Sequence, residues 1–219
     1  AAHGHGGSVG KHTVGSIGDA ACFSFYATKI LTGGEGGIIT TNNLNLKKKC
    51  SSLMNHGRSP HNPLFIHSGN NFRLTEIQAV IILSQLKHLK KTLLHRNKIA
   101  KIYEKYLDKS LFYTKLVLDK SSKNTFWRYP LYLSKQISRS SLQTLCAKKH
   151  NFRVTWMYEP LCHQQPVFKK NIKLPKSEKL IKRLINLPTH FLVKPSDAVK
   201  ICKNINLVCG NLYAKNKNI

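Results

Sequence analysis

Residues 70–107 contain neither proline nor glycine. Within them Ile77, Ile81, Gln85 with Leu86, Leu89 and then Leu93 recur at three- and four-residue steps, the period of one helix face. Thr75 stands ahead of this run as an N-cap, because its hydroxyl can accept one of the free N–H groups of the first turn. The pattern predicts helix as far as Leu107. That is longer than the usual globular helix, so a bend or break is expected near Lys90–His95. A helix of this length typically links two domains, and the chain accordingly divides into 1–107 and 108–219.

The N-terminal part begins with loop and turn, residues 4–18 being glycine-rich. Ala20–Tyr26 is a short apolar run, apolar on both faces, as suits a buried strand of a parallel sheet. A turn through Lys29, the glycine run Gly33–Gly37 and the β-branched strand Ile38–Thr41 follow. Leu44–Met54 reads as helix and 55–73 as loop. Beyond Ser110, strands at Trp127–Leu133 and Phe152–Trp156 alternate with helices at Ser138–His150, Pro175–Ile185 and Asp197–Leu212, the last capped by Ser196. This describes a small α/β domain. Trp127 and Trp156 are expected in the core, and the tail from Asn211 is expected to fray.

Lysine and arginine total 36 against 9 acidic residues, a formal net charge of +27. Such a balance suits a polyanionic partner, but the lysines are spread along the chain without a basic-aromatic nucleic-acid motif. A lysine-, asparagine- and isoleucine-rich composition explains the charge as well. The six cysteines form no C-x-x-C pair and no zinc-finger spacing, which points to reduced thiols in a cytoplasmic protein and to no metal site. No apolar run reaches membrane-spanning length.

The chemistry centres on Ser24 and Lys29. A strand ending in a turn places both near one sheet edge, where ligands of open α/β folds bind. Flanked by Phe25, Tyr26, Ile30 and Leu31, Lys29 is partly desolvated, which favours the neutral amine that attacks an aldehyde. An ordinary surface lysine is the competing reading. Asn70–Arg73, ahead of the Thr75 cap, could receive a phosphate or serve only as a capping loop. Glu35 in the glycine run is either a partner for a cation or solvated. His56 and Arg58 could touch an anion or merely shape their loop. Cys162 and His163 make a poor nucleophile pair, since neighbours on a strand point to opposite faces.

Gly18-Asp19-Ala20-Ala21-Cys22-Phe23-Ser24-Phe25-Tyr26-Ala27-Thr28-Lys29-Ile30-Leu31-Thr32-Gly33-Gly34-Glu35-Gly36-Gly37 closely resembles the signature of the DegT/DnrJ/EryC1/StrS sugar aminotransferases. Asn55-His56-Gly57 and Gly69–Ala79 resemble that family's next blocks. Pro160–Phe168 is similar to its small-domain substrate loop, and Ala1-Ala2-His3 to the segment that follows its cofactor-binding aspartate. The resemblance implies an α/β protein of the type I pyridoxal-phosphate (PLP) transferase fold, here part of the large domain plus the small C-terminal α/β domain. It implies a homodimer with PLP as cofactor. Lys29 would be the Schiff-base lysine, Ser24 a phosphate contact, His3 a neighbour of the PLP ring, and Asn71 a contact to the phosphate of the partner subunit's cofactor. Retention of Lys29, which dehydratase relatives replace by histidine, implies amino transfer. The donor would be glutamate and the acceptor a nucleotide-linked keto-sugar of surface-polysaccharide synthesis, as in perosamine formation.

The same resemblance implies a longer segment ahead of Ala1, carrying a phosphate loop, a stacking aromatic and the aspartate that holds the pyridine nitrogen protonated. Without it the Ala20–Phe25 strand would lack neighbours; the alternative reading is a catalytically inactive, truncated remnant of such an enzyme. A basic protein for nucleic acid or anionic surfaces is the most distant alternative, because it leaves the Ser24–Lys29 block unexplained.

Overall fold

The computed structural model describes residues 1–114, 121–168 and 172–217. Contacts divide the chain into two compact units, Ala1–Leu94 with Leu118–Trp127, and His95–Val117 with Arg128–Ile219. The division falls inside the long helix rather than at Leu107. The segment ending at Trp127 belongs to the first unit, because the Ser8 and Lys123 backbones exchange hydrogen bonds of 3.1 and 2.9 Å.

In the first unit the glycine-rich opening is not all loop. Strands β1 (Ser8–Val9) and β2 (His12–Thr13) form a small hairpin across Gly10, whose φ of +56° suits a tight turn. Strand β3 (Ala21–Ser24) pairs with β4 (Gly37–Thr40) in antiparallel register, Ala21 opposite Thr40 and Ser24 opposite Gly37. The expected parallel pairing is therefore corrected. The chain returns through the loop 25–36 rather than through the long crossover that parallel strands need. Bonds from Phe25 N to Gly36 O and from Gly33 N to Phe25 O close that loop. Glu35 within it is exposed, which favours the solvated reading.

Helix α1 (Leu44–Met54) starts at Asn43, whose side chain accepts from the N–H groups of Asn45 and Leu46. Helix α2 (Glu76–Leu86) starts at the expected Thr75, in a capping box with Gln78. Phe25, Leu31 and Ile82 form the core here, with Leu74 and Leu89 packed against them. Helix α3 (Leu89–Tyr106) follows after a break at Lys87–His88, earlier than Lys90–His95. At the break the ladder tightens to an i→i−3 bond, His88 N–H donating to the Gln85 carbonyl at 2.9 Å, before Thr92 N–H on the His88 carbonyl at 3.0 Å resumes the α-helical pattern. The Gln85 side-chain amide donates to the Thr32 carbonyl at 2.7 Å.

In the second unit β5 (Phe112–Tyr113), β6 (Tyr129–Leu133) and β7 (Leu184–Leu187) form an antiparallel sheet in the order β5-β6-β7. Tyr129, Leu131 and Leu133 of β6 point inward and alternate with half-buried Pro130 and Tyr132, the two-residue period of a strand. Helix α4 (Arg139–His150) is capped by Ser138 and ends on Asn151 at φ +54°. Helices α5 (Pro175–Ile181) and α6 (Pro195–Lys217) complete the unit. Leu142 and Cys146 of α4, Ile185 of β7, and Ala198, Cys202, Ile205 and Cys209 of α6 are all fully buried. Burial pushes the Cys146, Cys202 and Cys209 thiols up to about 12, so they act as small core hydrophobes.

Several expectations are corrected in this unit. Phe152–Trp156 is no strand; a single bridge joins Thr155 to Asn186. The segment Leu184–Leu187, read as helix end and breaker, pairs with β6 along its length. Local periodicity cannot reveal a partner more than fifty residues away. Helix α6 begins at Pro195, with the Asp197 carboxylate accepting from Lys194 N at 3.1 Å, so Ser196 lies inside the helix. The tail is helical through Lys217. Trp127 and Trp156 are half-buried rather than core; the Arg139 guanidinium lies 4.7 Å over the Trp156 ring.

Tyr103 is fully buried, and its hydroxyl donates to the Pro188 carbonyl at 2.7 Å. Tyr103→Phe leaves that carbonyl without this donor and is expected to lower unfolding free energy by about 1–2 kcal/mol in denaturant titration.

Candidate active site

Lys29 sits one turn past the end of β3, and its N–H donates to the Tyr26 carbonyl at 2.9 Å. The next two side chains, Ile30 and Leu31, are buried and anchor the turn, whereas Lys29 itself is half-buried at the edge. Its amine lies 2.6 Å from Nε2 of His3. His3 is fixed in turn by the Thr125 hydroxyl, which donates to the His3 carbonyl at 2.8 Å. The contact is a hydrogen bond whose donor depends on the His3 tautomer, and it fixes the position of the Lys29 nitrogen.

Ser24, the last residue of β3, is half-buried, and its hydroxyl accepts a long 3.4 Å bond from Tyr26 N–H. Asn71 is exposed and tied into its own loop. Its Oδ1 accepts from Arg73 N and Nε, while Arg73 Nη1 donates to Asn55 Oδ1 at 3.1 Å. The structure thus brings His3 and Lys29 together and holds Asn71 in the loop that caps α2. His56 and Arg58 serve that same loop. His56 adopts φ +60° and donates its N–H to Asn70 O, and the Arg58 guanidinium lies 5.4 Å over Phe65. His163 pairs with Glu178 at 3.0 Å, whereas Cys162 is exposed. Among the described residues no His, Cys, Asp or Glu cluster could hold a metal, and no helix is long and apolar enough to cross a membrane.

Two residues at this site escaped sequence reasoning. Trp127, read as core, stacks on His3 with ring centroids 3.8 Å apart. Nothing in residue spacing announces that pairing. His5 is buried against Phe23 and Phe25, and neither ring nitrogen has a partner in hydrogen-bond geometry. Burial foremost, then the positive charges of His3, Lys29 and the N-terminus, hold its pKa below the ordinary 6.5. The Ser24 backbone opposes this as the smallest of the influences. Folded His5 therefore binds fewer protons than unfolded His5. Its contribution to stability is complete above about pH 6.5 and is lost as pH falls toward the lower folded value. His5→Phe is expected to flatten the fall in melting temperature between pH 7 and pH 5; an unchanged slope would assign the acid sensitivity elsewhere.

The sequence pattern of the DegT/DnrJ/EryC1/StrS aminotransferase family matches residues 1–206. The chain belongs to this family. GDP-perosamine synthase of Escherichia coli O157:H7 is 31% identical over 203 residues, which cover 90% of the chain and 53% of that enzyme. Among solved structures, a putative sugar aminotransferase of Streptococcus pneumoniae, in its PMP form, superposes with a TM-score of 0.90 at 21% identity, covering 99% of this chain and 58% of that one. A DegT/DnrJ/EryC1/StrS aminotransferase of Brucella abortus gives 0.84 at 26% identity, covering 96% and 56%. The fold is therefore that of the PLP-dependent aminotransferases, mixed α/β. The chain spans about half the length of the curated relatives it matches.

Proposed function

We propose that this family member is the lysine-bearing part of a PLP-dependent aminotransferase that moves an amino group from glutamate to a nucleotide-linked keto-sugar. The carrying observation is the Lys29 amine, half-buried behind the apolar strand and 2.6 Å from the His3 imidazole. These residues fit the coenzyme: an amine for its aldehyde, an imidazole to lie against its ring, and the Ser24 hydroxyl for its phosphate. Bound there, PLP supplies an electron sink that acidifies the Cα–H of the amino donor.

The remaining work falls to the chain. Lys29 would hold the coenzyme through its aldehyde, and its amine, once free, would serve as the base and then the acid for the proton at Cα of the donor. His3 keeps the amine in place between these transfers. In a homodimer, Asn71 would reach the phosphate held by the partner subunit.

The substrate class rests on relatives named for nucleotide sugars carrying different nucleotides. These include the GDP-perosamine synthases of Escherichia coli and Caulobacter vibrioides and the UDP-4-amino-4,6-dideoxy-N-acetyl-beta-L-altrosamine transaminase of Campylobacter jejuni. A further relative is a spore coat polysaccharide biosynthesis protein of Bacillus subtilis, which favours a role in surface polysaccharide. The test is borohydride reduction of the complete gene product after mixing with PLP, followed by peptide mapping. A coenzyme adduct on Lys29 is expected. An unmodified Lys29 would overturn the proposal.

A further inference from the structure

Trp127 lies 98 positions along the chain from Lys29, yet it touches the lysine turn and the histidine that holds the amine. The indole N–H donates to the carbonyl of Thr28, the residue before Lys29, at 2.6 Å. The indole face stacks on the His3 ring with an interplanar angle of 11°. The Lys29 amine lies 5.0 Å from the centre of the same indole. The segment that delivers Trp127 is itself fixed in the first unit. Lys123 pairs with Ser8, the Thr125 hydroxyl bonds the His3 carbonyl, and Asn124 Oδ1 accepts from Phe126 N at 2.8 Å.

We propose that Trp127 is a positioning residue for Lys29, holding its backbone through the Thr28 carbonyl and its amine through His3 and the indole face. An aromatic face attracts an ammonium, so the amine is kept over the ring and against the imidazole rather than sweeping through solvent. A lysine side chain has four rotatable bonds, and restraint at both its backbone and its tip is what pre-organises a flexible nucleophile. Trp127 also covers one of the two faces of His3, leaving only the opposite face for a planar ligand to stack on. The inference rests on the proposed role of Lys29, and it is tested without the coenzyme.

The complete gene product, free of coenzyme, is treated with a limiting amine-acylating reagent, and the acylation rates of Lys29 and Lys47 are read by peptide mass spectrometry. Lys47 is exposed on α1 and is the internal control. In Trp127→Ala the Lys29 rate is expected to rise roughly threefold to tenfold, the span of a partly exposed cation–aromatic contact, with Lys47 unchanged. Trp127→Phe keeps an aromatic face but loses the N–H, and should give a smaller rise. A Lys29 rate that does not change in Trp127→Ala, or a Lys47 rate that rises in the same proportion, overturns the proposal. If Lys29 responds as expected while wild-type protein forms no borohydride-trapped coenzyme adduct, the positioning role stands and the aminotransferase reading falls.

Discussion

Lys29→Ala is expected to abolish the borohydride-trapped coenzyme adduct and to lower amino transfer by the complete gene product by about 10⁴-fold, the upper end for loss of a proton-transfer group. The upper end applies because one amine both holds the coenzyme and carries the proton. Lys29→Arg separates this role from that of a mere charge. A guanidinium keeps the positive charge beside His3 and over Trp127, but it does not lose its proton in proteins and neither condenses with an aldehyde nor accepts the Cα proton. Arginine should therefore be as inactive as alanine, while a small exogenous amine restores part of the activity in the alanine variant. Both variants should unfold within about 0.5 kcal/mol of wild type, since Lys29 is half-buried and its turn is anchored by Ile30 and Leu31. An arginine variant within tenfold of wild-type turnover would show that Lys29 acts as a charge and would end the proposed mechanism.

What could be read from the sequence follows the range of the interactions involved. Helix α1, the Thr75 cap and helix α4 with Ser138 rest on contacts within four residues, and each lies where the pattern puts it. Strand pairing is another matter. Ile185 reads as the end of a helix and Leu187 as part of its breaker, because only β6, more than fifty positions earlier, makes them a strand. Ala20–Tyr26 is apolar enough for a parallel interior strand, yet its partner here is the strand returning from the same glycine loop. The site divides similarly. Lys29 stands out by its place between an apolar strand and a glycine run. The 2.6 Å approach of His3 and the stacking of Trp127 are tertiary facts. For His3 only the family resemblance hinted at the location, and for Trp127 nothing did.

Gly57→Ala is expected to be among the most destabilising single-methyl additions in the first unit, lowering unfolding free energy by about 3 kcal/mol or more. Two effects combine. At φ +78° any L side chain is strained by roughly 1–2 kcal/mol. A Cβ there would also overlap the His67 carbonyl, 1.7 Å from its oxygen and 2.6 Å from its carbon, and overpacking against backbone adds about 1–3 kcal/mol. The neighbours cannot easily give way. Gly57 N–H donates to Ser52 O at the end of α1, Gly57 O accepts from Ile66 N, and Asn70 N–H donates to Leu53 O. Expelling the strap 64–71 would also release Asn71 from its bridge to Asn55. Gly18→Ala is the control, because Gly18 has φ +90° but open space around a Cβ, so it isolates the conformational cost of about 1–2 kcal/mol. Hydrogen exchange should localise the Gly57→Ala damage to residues 52–73. Equal destabilisation by the two variants would mean that the strap moves aside freely, and that Asn71 is not held by the packing around Gly57.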